Sequence, residues 1–191
     1  MVGSDWISVS PGGKVFGIDP GPDEHAVVCW DPHAPKVIEA HDLSTSELQA
    51  YLISQARPGI DVVACEWVAC FGMAVGFPIF KTVFQTGRIA CVAPDCRFVP
   101  RVQIKMHLCG TAKAKDPNVS QALKDRFGDR GTKNKPGALY GISKHRWAAL
   151  AVAVYAAEQI QPEKEFFPEP GLLLAPMGEQ VLRASIEDFS A

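Results

Sequence analysis

The chain is 191 residues long and 20.7 kDa, enough for one good-sized domain or a domain with a tail. Its 47% apolar and 21% charged residues are a globular balance that excludes a disordered chain. A net charge of −2 hides a lopsided distribution: residues 97–146 carry twelve Lys and Arg against three acids, the other 141 carry seven against eighteen, and so long a basic block points to a polyanionic partner, nucleic acid first.

In chain order, Lys14–Asp19 reads as a short strand stopped by Asp19-Pro20-Gly21-Pro22. Ala26–Asp31 and Lys36–Leu43 read as two more strands, completing a meander. Ser44-Thr45-Ser46-Glu47 has the pattern of a helix N-cap, opening a helix to about Ala56. Asp61–Glu66 is a buried, β-branched strand ending in a carboxylate. Residues 72–90 predict a helix kinked or split by Gly76 and Pro78. Ala90–Val92 and Phe98–Val102 read as the remaining strands, and Ser120–Phe127 as a short helix closed by Gly128. Asp129–Gly141 reads as a mobile basic loop, and His145–Gln159, apolar almost all round, as a buried helix. The pattern predicts an α/β domain with a mixed sheet over 14–161, an N-terminal extension over 1–13 and a tail of uncertain order over 162–191.

The opening residues lack a basic stretch followed by an apolar run, so no signal peptide is expected. No apolar run approaches the roughly eighteen residues of a membrane span, and the expectation is a soluble cytoplasmic protein. Six cysteines are present, at 29, 65, 70, 91, 96 and 109, but no two have the spacing of a metal knuckle. Most lie in apolar runs, where a free thiol packs as a small hydrophobe.

Three residues stand out chemically. Two hydrophobic strands end on Asp19 and Glu66, and ligands of open α/β sheets collect at the carboxyl ends of strands. Asp19 alone also fits an Asx turn. Glu66, between Cys65 and Trp67, is a carboxylate in an apolar run, and a cation would remove the cost of burying it. His145 opens the last helix, in the place of a capping or solvated histidine with its ring free to leave the core.

Taken together, these blocks resemble the RuvC-type Holliday-junction resolvases. The carrying residues are Phe16-Gly-Ile-Asp-Pro-Gly21, Ala64-Cys-Glu66, the block Lys105…Gly110…Lys113-Ala-Lys115-Asp116…Val119…Ala122-Leu123, and Ala149-Leu-Ala-Val-Ala153. The stretch from Phe71 through Gly76, Phe80 and Thr82 to Gly87-Arg88 is closer to the phage and prophage branch. The match covers about residues 14–157. It implies an RNase H-like fold with a mixed five-stranded sheet flanked by helices. It also implies a homodimer and Mg²⁺- or Mn²⁺-dependent cleavage of branched DNA at a two-metal site.

By the same resemblance, Asp19 and Glu66 are metal-binding catalytic acids, and His145 takes the place of the first acid on the final helix, as a catalytic residue that ligates a metal such as Mn²⁺ or acts as general acid or base. Ala148 falls where the family has a second acid, a departure that removes a possible ligand. Asp116 and Glu158 are the nearby replacements in sequence, but Glu158 lies ten residues further along the helix than Ala148, about 15 Å away. Such a site hydrolyses phosphodiesters by activating a water and stabilising the departing oxygen. One His beside two acids leans towards Mn²⁺. For DNA contact the candidates are Lys105, Lys113, Lys115, Lys133, Lys135, Lys144 and Arg146, with Lys81 and Arg88 on the expected kinked helix. An aromatic that stacks on unpaired bases is implied near Phe71 or Trp67, where core packing is the competing role. Four-way junctions are the expected substrate, with forks or flaps beside them. The competing reading is a branched-DNA-binding protein whose metal set is incomplete.

Overall fold

The computed structural model describes residues 9–69, 74–93 and 95–159. Its elements are β1 (Val15–Asp19), β2 (Glu24–Asp31), β3 (Lys36–Ser44), α1 (Thr45–Gln55), β4 (Val62–Trp67), α2 (Phe77–Ala90), β5 (Arg97–Pro100), α3 (Arg101–Cys109), α4 (Asp116–Phe127) and α5 (Arg146–Gln159). The strands form one mixed sheet in the order β3-β2-β1-β4-β5. β1 and β2 pair antiparallel, as do β2 and β3, whereas β4 runs parallel to β1 and β5 parallel to β4. The expected α/β class with a mixed five-stranded sheet is the observed one.

Strand alternation sorts the core into two layers. Phe16, Ile18, Val63 and Cys65 face a cluster with Leu48 and Leu52 of α1 and Ile89 of α2. Val15 and Ala64 face the other way, into a cluster with α3, α4 and α5. α5 is buried over Ala149–Val154 on every face, as its composition predicts. It packs so closely on β1 that a Cβ at Gly17 would overlap the Ala149 carbonyl and the Ala153 backbone nitrogen.

Local signals explain the well-predicted boundaries. Ser44 and Glu47 form a full capping box, the Ser44 N–H donating to Glu47 Oε2 at 2.9 Å. Gly128 closes α4 with a positive φ of 85°. Four expectations need correction. Residues 90–92 end α2 and turn, rather than forming a strand. α2 is one unsplit helix, because Gly76 is its N-cap and Pro78 falls in its first turn, where no backbone donor is lost. α4 starts four residues early, at Asp116, with Pro117 in its first turn. Finally, α3 replaces the end of an expected strand: Val102, Ile104, Met106 and Leu108 alternate with strand-like period, yet Pro100 ends β5 and Gly110 caps a helix. The basic loop carries its own backbone hydrogen bonds, including Thr132 N–H to the Lys135 carbonyl and a bridge between Gly131 and Pro136. The expected tail and most of the expected N-terminal extension lie outside the described residues.

Candidate active site

β1 and β4 are neighbours and parallel, in register Ile18 to Cys65, so the residues that follow, Asp19 and Glu66, stand side by side at the carboxyl edge of the sheet. Period-two alternation puts both on the face that carries α5. Asp19, Glu66, Arg101, Asp116, Lys144, His145 and Ala148 line one cleft of about 320 Å³. A second hollow of about 750 Å³ continues from Asp19 and His145 along the turn after β1 and the start of β2.

Electrostatically, this is a cluster short of positive charge. Burial raises the Asp19 carboxyl to about 6, against the pull of Arg101 and His145. Burial raises Glu66 to about 7, again opposed by Arg101, with Asp19 adding to the rise. Asp116 is different: its hydrogen bond from Arg101 holds its pKa below the ordinary value. The Arg101 guanidinium spans the cluster, Nη1 donating to Glu66 Oε2 and Nη2 to Asp116 Oδ1, each at 2.5 Å. His145 immediately precedes α5, its carbonyl accepting from the N–H groups of Ala148 and Ala149. Its ring is 83% exposed, with Nδ1 3.7 Å from Asp19 Oδ2. The structure thus brings the three predicted site residues to one place.

Among the described residues no three His, Cys, Asp or Glu side chains stand close enough to share a metal ion as they are arranged. A guanidinium lies between Glu66 and Asp116. The donors nonetheless fit a hard divalent cation in kind. They are carboxylate oxygens, and burial makes two of them poor anions until positive charge arrives.

Two contributors escape the sequence reading. Arg101 counts there only as part of the basic block, because residues 98–102 read as strand. His25, buried in β2, accepts from the Gly21 N–H at Nδ1 and meets Thr45 Oγ1 at Nε2, 2.9 Å away. Burial lowers its pKa, so it is a neutral bracket for the turn that follows Asp19. An imidazole in an otherwise apolar strand, Ala-Val-Val-Cys after it, is the available signal.

The expected DNA contacts divide. Lys144 lines the cleft in a left-handed conformation, φ 48°, the one non-glycine residue with positive φ among those described. Lys105 on α3 is near enough to Asp116 to help lower its pKa. Lys113, Lys115, Lys133 and Lys135 are exposed. Lys81 is ion-paired with Asp23, Arg146 with Asp42, and Arg88 donates to Gln85. Trp67 packs edge-on against Phe98, and Phe71 lies outside the described residues. Ala148 offers no donor to the cleft, and Glu158 is held away by His107 and Arg126.

No family model and no curated relative matches this chain. Solved structures do. Thermus thermophilus RuvC superposes with a TM-score of 0.57 at 18% identity, over 75% of this chain and 93% of its own. The T. thermophilus RuvC structure in complex with Holliday junction substrate gives 0.53 at 17%, over 76% and 95%. The fold of this chain is therefore the RuvC-like form of the RNase H architecture.

Proposed function

We propose that residues 14–161 form a metal-dependent, structure-selective DNA endonuclease that resolves four-way junctions. One observation carries this reading: two half-buried carboxylates lie side by side at the carboxyl edge of adjacent parallel strands, on a RuvC-like fold, beside exposed lysines. The likeness to a resolvase solved with its junction substrate supports the choice of DNA structure. Asp19 and Glu66 would hold Mg²⁺ or Mn²⁺ in a two-metal site, with His145 beside Asp19. Bound there, divalent ions supply an activated water and stabilise the departing 3′-oxygen. The exposed His145 imidazole can take or give a proton beside the reacting phosphate. Lys105 and Lys144 flank the cleft, and Lys113, Lys115, Lys133 and Lys135 extend the basic surface beyond it. Phe71 remains the proposed stacking aromatic, and Lys81, Arg88 and Arg146 peripheral contacts.

The active form is proposed to be a homodimer in the cytoplasm of a bacterial or phage-infected cell. α2 supports the dimer: Phe77, Phe80, Val83 and Phe84 are all exposed on it, Phe77 by 77%, an apolar ridge suited to a second copy. Among the described residues no helix is long and apolar enough to cross a membrane.

A second reading, a branched-DNA-binding protein with weak or no cleavage, is favoured by one fact. The acids of the cleft do not converge on one point among the described residues, and Arg101 holds Glu66. A labelled synthetic four-way junction, tested beside linear duplex and a fork with Mg²⁺, Mn²⁺ or EDTA, separates the two. Paired cuts near the branch point, lost in EDTA, are expected; tight binding without cutting in either metal selects the second reading.

Lys113→Ala with Lys115→Ala is expected to weaken junction binding and flatten its salt dependence. If both lysines contact phosphates, the log–log slope falls by about 2. An unchanged slope would take the α3–α4 connection out of the DNA interface.

A further inference from the structure

Arg101 opens α3 directly after Pro100 ends β5, and its two terminal nitrogens reach different elements. Nη1 holds Glu66 at the sheet edge, and Nη2 holds Asp116 at the start of α4. We propose, resting on the reading of this cleft as a divalent-metal site, that Arg101 is its displaceable counter-ion and Asp116 its third carboxylate. An entering ion takes the guanidinium's place between Glu66 and Asp116.

Several observations converge on this assignment. Ala148 lines the cleft without a donor, so α5 contributes no acid there. Asp116 is the carboxylate that enters the same cleft from α4, while Glu158 is committed to His107 and Arg126. One cation already joins Glu66 to Asp116, which shows that the two can serve a common positive charge. The parts that must move are also the loose ones: the Asp116 side chain is 75% exposed, that of Arg101 31%, and that of Glu66 only 13%. Exchange therefore asks for rotamer changes at the surface and leaves the core packing in place. A guanidinium and a metal ion that want the same oxygens bind in competition, so removing one strengthens the other.

The test is titration of Mn²⁺ alone into the metal-free full-length protein, with free Mn²⁺ read by electron paramagnetic resonance. Arg101→Gln is expected to bind Mn²⁺ about tenfold more tightly than wild type. Asp116→Asn and Asp19→Asn are expected to bind about tenfold or more weakly. Without metal, Arg101→Gln should melt below wild type, and Mn²⁺ should raise its midpoint by the larger amount.

Unchanged or weaker Mn²⁺ binding in Arg101→Gln, with Asp19→Asn still weakened, overturns the counter-ion while the metal site stands. Unchanged affinity in Asp19→Asn removes the metal site itself, and the proposal with it. Should Arg101→Gln not fold, Arg101→Lys carries the test. An ammonium lacks the planar fork that grips Glu66 and Asp116 through separate nitrogens and holds the pair less firmly, so tighter binding is expected and unchanged affinity is fatal.

Discussion

Asp19→Asn and Glu66→Gln should each lower junction cleavage by on the order of a thousandfold or more, and leave junction binding within about threefold. Under the proposed function, cutting would depend on the negative oxygens that hold the ion, whereas affinity would come from lysines that neutralise phosphates elsewhere on the surface. Single-turnover cleavage and gel-shift titration of the same junction measure the two separately. Substantial cleavage by either variant would take that carboxylate out of the catalytic centre.

The Asp19 substitution has a second consequence, visible without DNA. In the fold its carboxyl titrates at about 6, raised from 3.8 by burial. Between those values the folded chain binds more protons than the unfolded one, so this group makes stability fall as pH rises. The cost is absent below about pH 4 and complete above about pH 6. Asparagine carries no charge to bury. In EDTA at pH 8, Asp19→Asn is therefore expected to be more stable than wild type by ~2 kcal/mol, a midpoint about 5 °C higher. At pH 4 the difference should vanish. A gain that persists at pH 4 would mean that burial of the charge is not its source. Lost activity with gained stability is what a strained functional carboxylate predicts.

Gly17 carries the largest structural expectation. It is the β1 residue under α5, and a Cβ there would lie 2.7 Å from the Ala153 Cβ and would also overlap the Ala149 and Ala153 backbone. Backbone cannot rotate aside as a long side chain can, so the helix must lift. Gly17→Ala is expected to cost about 3 kcal/mol, with a midpoint lower by about 10 °C, and Gly17→Val more. Lifting α5 also draws His145 from Asp19, so cleavage should fall with stability. Gly87→Ala is the control: its Cβ would meet nothing within 4 Å on the exposed side of α2. That change should be neutral or stabilising by about 0.5–1 kcal/mol. Equal melting of Gly17→Ala and wild type would mean that α5 does not rest this closely on β1.

How much of the fold and site is legible in the residues follows from the range of the forces involved. The apolar runs of β1 and β4, the Ser44–Glu47 capping box, Gly128 after α4 and the all-round apolar α5 are local patterns. They suffice to place two acids at strand ends and a histidine at a helix start. The resemblance through Ile-Asp-Pro-Gly, Ala-Cys-Glu and the Lys105–Leu123 block points to the RuvC-like fold that the sheet order shows. α3 escapes because its apolar residues alternate like a strand's, and only the ends of β5 and α3, at Pro100 and Gly110, decide between the two.

The residues in their order therefore set the kind of chemistry: which carboxylates end apolar strands, and where each lies on its own element. Which charges meet is a matter of tertiary folding. Arg101 is 35 residues from Glu66 and 15 from Asp116, and it joins them because β5 runs parallel beside β4 and feeds α3 at the same sheet edge. Lys81 and Arg146 read as free cations in the chain, yet partners 58 and 104 residues away neutralise them. Secondary structure follows from forces between near neighbours in sequence. Electrostatic pairing depends on distance in space, and no local pattern encodes it.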